Sequence, residues 1–482
     1  MKAILNYLGY VLFLFSFFLL IPVPVALLNG EDVFYFMLGF IIAFITGLFL
    51  KRVAREMGES ERFFIFNSIT LTEGFVIVAL SFICLSAVAM LPYLPVLEGT
   101  RGEIVIDAYF EGISGITTTG LSIIPNVSEM PEGLLLWRAL TQWIGGIGII
   151  MVFLFMIYKQ RSRSEEDEND SGSHIRLYQS LISTTTSPNV TKIMYKVGIT
   201  YGILTIIGIT ALFLAGLSIF DAVTTAFTAL STGGFIAGDL FYQSIHVMSV
   251  TIILMILGAI SFIAYSNLLS SIRDFFRDIE FRSLIIFLGV ILGFGIILNL
   301  IGIIDMDVPT MIFQLTSALT GTGFSVHPIS LHPPIILFIL MIAMFIGGAT
   351  CSTSGGIKQF RLVVILKSIL WNIRKMSNPT SAVIPLKMNK KSFEMTSLAL
   401  VQILVFSFLI VLCLGTVVLL LCGFELFDAL FQTLSALCTV GLSSVPIDTM
   451  PAVAKITLMV CMILGRIEIF PFLVLVRKIF KS

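Results

Sequence analysis

Apolar residues in this chain come in long uninterrupted runs, without the short helical or two-residue alternation of elements that face water on one side. Ten runs lie near or above the roughly twenty residues that a helix needs to cross a bilayer: 3–28, 33–50, 64–92, 133–158, 192–217, 243–272, 283–304, 334–372, 393–422 and 452–480. The first follows Lys2 as a signal peptide would. It is too long for such a segment and no small-x-small cleavage site follows, so it reads as an uncleaved membrane helix.

Four shorter amphipathic segments, 107–117, 221–231, 310–320 and 428–438, fall between these runs. Eleven helical residues rise about 16 Å, roughly half of the hydrocarbon core. A segment of that length enters the membrane, stops and returns, and its exposed backbone is tolerated only inside protein or along a water-filled path. Aligned on a shared glycine, the four read DAYFEGISGITTTGLS, DAVTTAFTALSTGGFI, TMIFQLTSALTGTGFS and DALFQTLSALCTVGLS. Three open on Asp-Ala (Asp107, Asp221, Asp428), and the third has Thr310-Met311 there. An acid at a helix N-terminus caps free N–H groups, which leaves the partially negative C-terminal ends directed at the centre. The shared glycines Gly120, Gly234, Gly323 and Gly441 are 114, 89 and 118 residues apart, as in an internal duplication with drifting loops.

The pattern predicts an all-α polytopic membrane protein: four pseudo-repeated helix–pore-loop–helix units around one ion pore, plus an N-terminal hairpin. The boundaries are 1–62 for the hairpin, 63–163 for unit 1, 164–187 for a cytoplasmic linker, 188–280 for unit 2, 281–388 for unit 3 and 389–482 for unit 4. The linker region, taken from 161, begins RSRSEEDENDSGSH and is acidic and Ser-rich, the composition of a flexible segment.

Composition agrees: 57% of the 482 residues are hydrophobic and 12% charged, too few charges for a water-facing surface. The formal net charge is zero, which excludes a global basic field for nucleic acid. Every other loop is basic. The clusters are Lys51, Arg52, Arg55 and Arg62; Lys159, Arg161 and Arg163; Arg273, Arg277 and Arg282; eight Lys and Arg between Lys358 and Lys391; and Arg477, Lys478 and Lys481. The positive-inside rule then puts both termini in the cytoplasm and the four repeats on the outer side. The six cysteines lie in apolar runs without CxxC spacing and read as small buried hydrophobes, and the four histidines make no metal pattern. The string Gly145-Gly146-Ile147-Gly148 follows no strand, so it reads as close helix packing after Arg138 and Gln142. No nucleotide-binding motif, paired acids or nucleophile constellation recurs, which argues against an enzyme and against a bound organic cofactor.

The chemistry lies in four stretches: Thr117-Thr118-Thr119-Gly120, Ser231-Thr232-Gly233-Gly234, Thr320-Gly321-Thr322-Gly323 and Cys438-Thr439-Val440-Gly441. Extended main chain from four sides can replace the water of a monovalent cation by carbonyl oxygens. Glycine permits the backbone angles this needs. The hydroxyl two before the glycine is placed to line the inner end. A second constellation is 347–356, with Gly347, Gly348, Thr350, Ser352, Thr353, Ser354, Gly355 and Gly356. Four glycines and four hydroxyls inside an apolar run of nearly forty predict a helix–loop–helix at mid-membrane. Arg466 lies deep in the last run with Glu468 two along; a pair at that spacing does not share a helix face. Glu73 and Glu111 read as further acids at membrane depth, with Glu111 behind the first filter stretch.

These motifs resemble the Trk/Ktr/HKT superfamily of potassium transporters, most closely its TrkH-type subunits. The carriers are the four filter stretches, the 347–358 run and Gly465-Arg466-Ile467-Glu468. The extra hairpin 1–62 looks like the added N-terminal pair of Trk-type subunits. The resemblance implies potassium as the transported ion, bound at the sixteen filter residues named above. Glycine at all four positions, where plant-type members that pass sodium carry a serine in the first, favours potassium. It further implies a gate at 347–356 with Arg466 facing the pore. It implies a homodimer with one pore per subunit in a bacterial or archaeal plasma membrane, and a cytosolic nucleotide-binding regulatory ring (TrkA-type) that supplies any nucleotide control. The leading expectation is a potassium-permeating pore gated from the cytoplasm. The alternative is a proton- or sodium-coupled potassium symporter on the same scaffold.

Overall fold

The computed structural model describes residues 2–57, 70–166, 190–238, 244–268, 272–304, 306–379, 384–388, 391–393 and 395–481. Helices α1 (Lys2–Phe18), α2 (Val23–Leu28) and α3 (Phe34–Glu56) form the N-terminal hairpin. Gly9 and Gly47 let α1 and α3 touch backbone to backbone: a Cβ at Gly9 would lie 2.8 Å from Gly47 O. Helices α4 (Leu71–Ala89), α5 (Arg101–Ile116) and α6 (Glu132–Glu166) follow. Next come α7 (Val190–Leu214), α8 (Ile219–Leu230), α9 (Ile245–Ala259), α10 (Phe262–Leu268) and α11 (Ile272–Arg277). Then α12 (Ile279–Leu300), α13 (Val308–Thr320), α14 (Pro334–Ile346) and α15 (Gln359–Met376). The chain ends with α16 (Met395–Leu421), α17 (Leu426–Leu437), α18 (Ala452–Arg466) and α19 (Phe470–Lys481). The all-α expectation holds apart from one two-residue antiparallel pair, β1 (Lys387–Met388) with β2 (Lys391–Ser392).

Seven helices among the described residues are long and apolar enough to cross a membrane, not ten. The difference lies in three broken runs. The run 334–372 breaks at 347–358, close to the expected 347–356. The run 243–272 breaks at Ile260 and Ser261, and 452–480 bends by 110° after Arg466. The break at Ile260 and Ser261 contains neither glycine nor proline, whereas the one at 467–469 lies between Gly465 and Pro471, a signal the sequence carried. Both are held from outside: Phe262 N–H donates to Cys351 O (3.0 Å), and the Glu468 carboxylate is drawn to Arg361 (2.5 Å). The linker expectation shrinks as well. Residues 161–166 continue α6, and 167–187 lie outside the described residues.

The fold turns the solubility pattern inside out. Ile206, Ile286, Val290, Phe406 and Leu414 are each more than 60% exposed on the outer helices, the surface that lipid covers. Cys413 shares that exposed face of α16, so the reading of every cysteine as buried is wrong for it. Thr117, Thr118, Thr119, Ser231, Thr320, Thr322, Ser352 and Thr353 are fully buried. Hydroxyl-rich chain at the centre and hydrocarbon at the rim is the arrangement that a polar path through a bilayer requires.

Candidate functional site

The site begins with the four short helices α5, α8, α13 and α17. Thr100 and Glu103 form a reciprocal capping box on α5, and Ser218 caps α8 through Asp221 N–H (3.0 Å). Asp307 accepts from Thr310 N–H (3.2 Å) and so serves the third copy, whose repeat lacks the Asp-Ala pair. Asp107 is not at an N-terminus as expected, because α5 starts six residues earlier; its carboxylate pairs with Lys455 of α18 (2.7 Å). Glu73 is likewise a capping residue, in a box with Thr70 at the start of α4, rather than an acid at depth.

All four helices end the same way. The residue two before each shared glycine is left-handed: Thr118 (φ 52°), Thr232 (50°), Gly321 (74°) and Thr439 (49°). Its N–H donates three residues back, and the next N–H five back: Thr118 to Gly115 O and Thr119 to Ser114 O, repeated at Thr232/Gly233, Gly321/Thr322 and Thr439/Val440. That is a Schellman motif in each copy. Three are built on β-branched threonine, at a strain of order ~1–3 kcal/mol per residue. The shared glycines follow at φ 88°, 75°, 82° and 92°.

The four ends meet in a closed circuit. A Cβ on Gly120 would collide with Gly233 O, on Gly234 with Thr322 O, on Gly323 with Val440 O, and on Gly441 with Thr119 O, each closer than 3.0 Å. Each glycine therefore receives the carbonyl of a neighbouring copy in the order one, two, three, four, one. All four also line one cavity of about 370 Å³, with Ser122, Arg138, Ser325, His327 and Ser443 around its wall. Among the described residues no carboxylate lines this mouth. Hydroxyl pairs bridge within copies one and three, Thr117 to Thr119 (2.7 Å) and Thr320 to Thr322 (2.9 Å).

Directly against the inner ends of these helices lies the break between α14 and α15. Gly347 opens it at φ 68°, ψ −167°, a region essentially reserved for glycine. The loop then bonds to the terminal carbonyls of two short helices: Thr353 Oγ1 to Leu230 O (3.0 Å) and Gly356 N–H to Cys438 O (3.1 Å). Ser354 fills the space beside Gly321, where the other three copies carry a threonine. Ala349 N–H and Thr353 N–H bond Ala259 O (2.9 Å) and Gly258 O (3.3 Å), which explains why α9 ends there. Glu280 of α12 accepts from Thr350 N–H (3.0 Å), and Lys358 Nζ donates to Ser354 O.

Arg466 reaches into this loop and donates to Thr353 O (2.6 Å) and Gly145 O (3.3 Å). Glu468 does not pair with it; Arg361 does that from α15. Gly145 and Gly146 of α6 serve close approach as expected, since a Cβ there would strike Ile116 O and Ser231, whereas Gly148 has open space around it.

Sequence reasoning missed one set of residues. Nine positions before each shared glycine stand Glu111, Thr225, Gln314 and Gln432, and two after it stand Ser122, Ile236, Ser325 and Ser443. Glu111 accepts from Ser122 Oγ (2.7 Å) and Ile123 N–H (2.6 Å). Gln314 accepts from Ser325 Oγ (3.2 Å), and Gln432 Nε2 donates to Ser443 Oγ (2.6 Å) and Val445 O (2.9 Å). The signal was present in the fifth column of the aligned repeats, but only Glu111 stood out there, as a charge.

A closed circuit of four half-depth helices inside a shell of lipid-facing helices defines a polytopic membrane transport protein. The chain belongs to the TrkH family of cation transport proteins, whose family model matches residues 34–482. It is 28% identical to an uncharacterized cation transporter of Methanocaldococcus jannaschii over 99% of this chain and 96% of that one. It is 28% identical to the Trk system potassium uptake protein TrkH of Halomonas elongata (100% and 99% covered) and 26% identical to that of Escherichia coli K12 (99% of each). Its fold matches the crystal structure of the potassium transporter TrkH from Vibrio parahaemolyticus, with a TM-score of 0.84, 24% identity and coverage of 100% and 99%.

Proposed function

We propose that the chain carries potassium across the plasma membrane of a prokaryotic cell, passively, through the circuit formed by 117–120, 231–234, 320–323 and 438–441. The observation that carries this reading is the closed contact order of Gly120, Gly234, Gly323 and Gly441 around one cavity. Four inward backbone stretches supply the oxygens that a desolvated alkali cation needs, and the helix C-termini behind them favour positive charge. The Trk relatives are potassium uptake proteins, which supports the choice of ion. Both termini face the cytoplasm in this reading, the chain works as a homodimer, and a cytosolic nucleotide-binding partner controls it.

The 347–356 loop is the gate. Its Thr353 hydroxyl and Gly356 N–H bond the carbonyls of Leu230 and Cys438 at the ends of two of the short helices, which ties the loop to the circuit. Deleting 350–354 raises potassium flux into proteoliposomes; flux unchanged or lost in a folded, monodisperse protein contradicts a gate there. The function itself is tested by expression in cells that lack potassium uptake. Growth at low potassium is the expected result, and no growth with the protein present in the membrane refutes it. In liposomes the reversal potential follows the potassium Nernst value, and an offset with a proton or sodium gradient would point to coupling instead.

A further inference from the structure

We infer that four buried side chains behind the filter, Glu111, Gln142, Gln314 and Gln432, set the discrimination between potassium and sodium, and that the second copy borrows its member from another helix. The inference rests on the function proposed above and adds residues to it.

In copies one, three and four the position nine before the glycine bonds the serine two after it. Each bond ties the pore helix to the strand that climbs away from the filter. Copy two has Thr225 and Ile236 at these positions, and the isoleucine side chain can neither donate nor accept, so that bond is absent. Gln142 of α6 stands in. Its Nε2 donates to Gly233 O (2.7 Å) and its Oε1 accepts from Phe235 N–H (3.1 Å), so it grips the chain on both sides of Gly234. Arg138, one turn earlier on α6, joins copies one and two. It donates to Ser122 Oγ (2.9 Å), lies 3.8 Å from Glu111, and stacks over the Phe235 ring at 4.3 Å. All four members are at most 1% exposed.

The physical argument concerns stiffness. A ring of carbonyls can separate two ions of equal charge by resisting shrinkage around the smaller one. Functional groups keep such geometry when their supports are themselves locked by buried hydrogen bonds. Each member supplies such a lock from behind without standing in the path. They are positioning residues. Gln142 matters most, because Gly233 O, which it holds, is the same atom that meets Gly120 of the next copy.

The test is the potassium-to-sodium permeability ratio of the full-length protein in proteoliposomes. Gln142→Leu lowers the ratio about fivefold, equivalent to roughly 1 kcal/mol at 1.4 kcal/mol per decade, while potassium still passes. Gln432→Met removes the support of copy four and lowers the ratio in the same direction, an independent reading if the first variant does not fold. Adding Thr225→Gln and Ile236→Ser to Gln142→Leu rebuilds the missing bond within copy two and restores the ratio, which general loss of stability would not do. Wild-type ratios in folded Gln142→Leu and Gln432→Met, or no recovery in the triple variant, overturn the inference and leave potassium transport standing. A wild-type protein that passes no potassium overturns the function instead.

Discussion

Replacing Gly323 by alanine abolishes most potassium flux. Two costs meet at this position. The backbone sits at φ 82°, where a side chain is strained by ~1–3 kcal/mol, and the new methyl would press into Val440 O of the next copy. That obstacle is main chain, so no rotamer change relieves it. The ring must open at the junction of copies three and four. At 1.4 kcal/mol per decade the strain alone corresponds to about fivefold to a hundredfold in the population of the closed ring. The measurement is rubidium uptake into proteoliposomes by protein that remains monodisperse in detergent. Gly302→Ala is the control: it also has positive φ (77°), but open space around its Cα, and it keeps wild-type uptake.

Arg466→Gln changes flux in the opposite sense. The guanidinium donates to Thr353 O at 2.6 Å and so holds the centre of the 347–356 loop. A hydrogen bond to a charged group contributes roughly 1.5–3 kcal/mol, and removal of the bond shifts the loop toward its open arrangement by about tenfold to a hundredfold. The same substitution removes a fixed positive charge from beside the proposed path, which lowers the barrier to a cation there. Single-channel recording reads both effects, the first in open probability and the second in unitary current. Glutamine at 466 with wild-type values for both would retire the latch.

The two predictions draw on features that differed in how far the sequence displayed them. The short helices were legible. Their shortness and their place between apolar runs follow from counting, and the structure has them at 101–116, 219–230, 308–320 and 426–437, the first starting six residues earlier than expected. The break at 347 was legible because its glycines and hydroxyls interrupt an apolar run. The break after Ala259 was not, since Ile260 and Ser261 include no glycine or proline and the partner that holds Phe262, Cys351 O, comes from elsewhere in the chain; the break after Arg466 was marked by Gly465 and Pro471 but was read through as one span. Asp107 misled for a related reason. It heads a repeated pair, yet Thr100 and Glu103 start that helix earlier and leave the carboxylate to Lys455. The supports behind the four glycine turns lay between these extremes. Glutamine among apolar residues is common enough to pass unnoticed until its partner two after the glycine is seen beside it.

Most directly, the account is tested by locating the ion. Crystals or vitrified particles of the full chain in thallium or rubidium are expected to show density on the axis bounded by 117–120, 231–234, 320–323 and 438–441, with main-chain oxygens from all four copies as its ligands. Heavy-cation density bound elsewhere in the protein, with none inside that circuit, contradicts it.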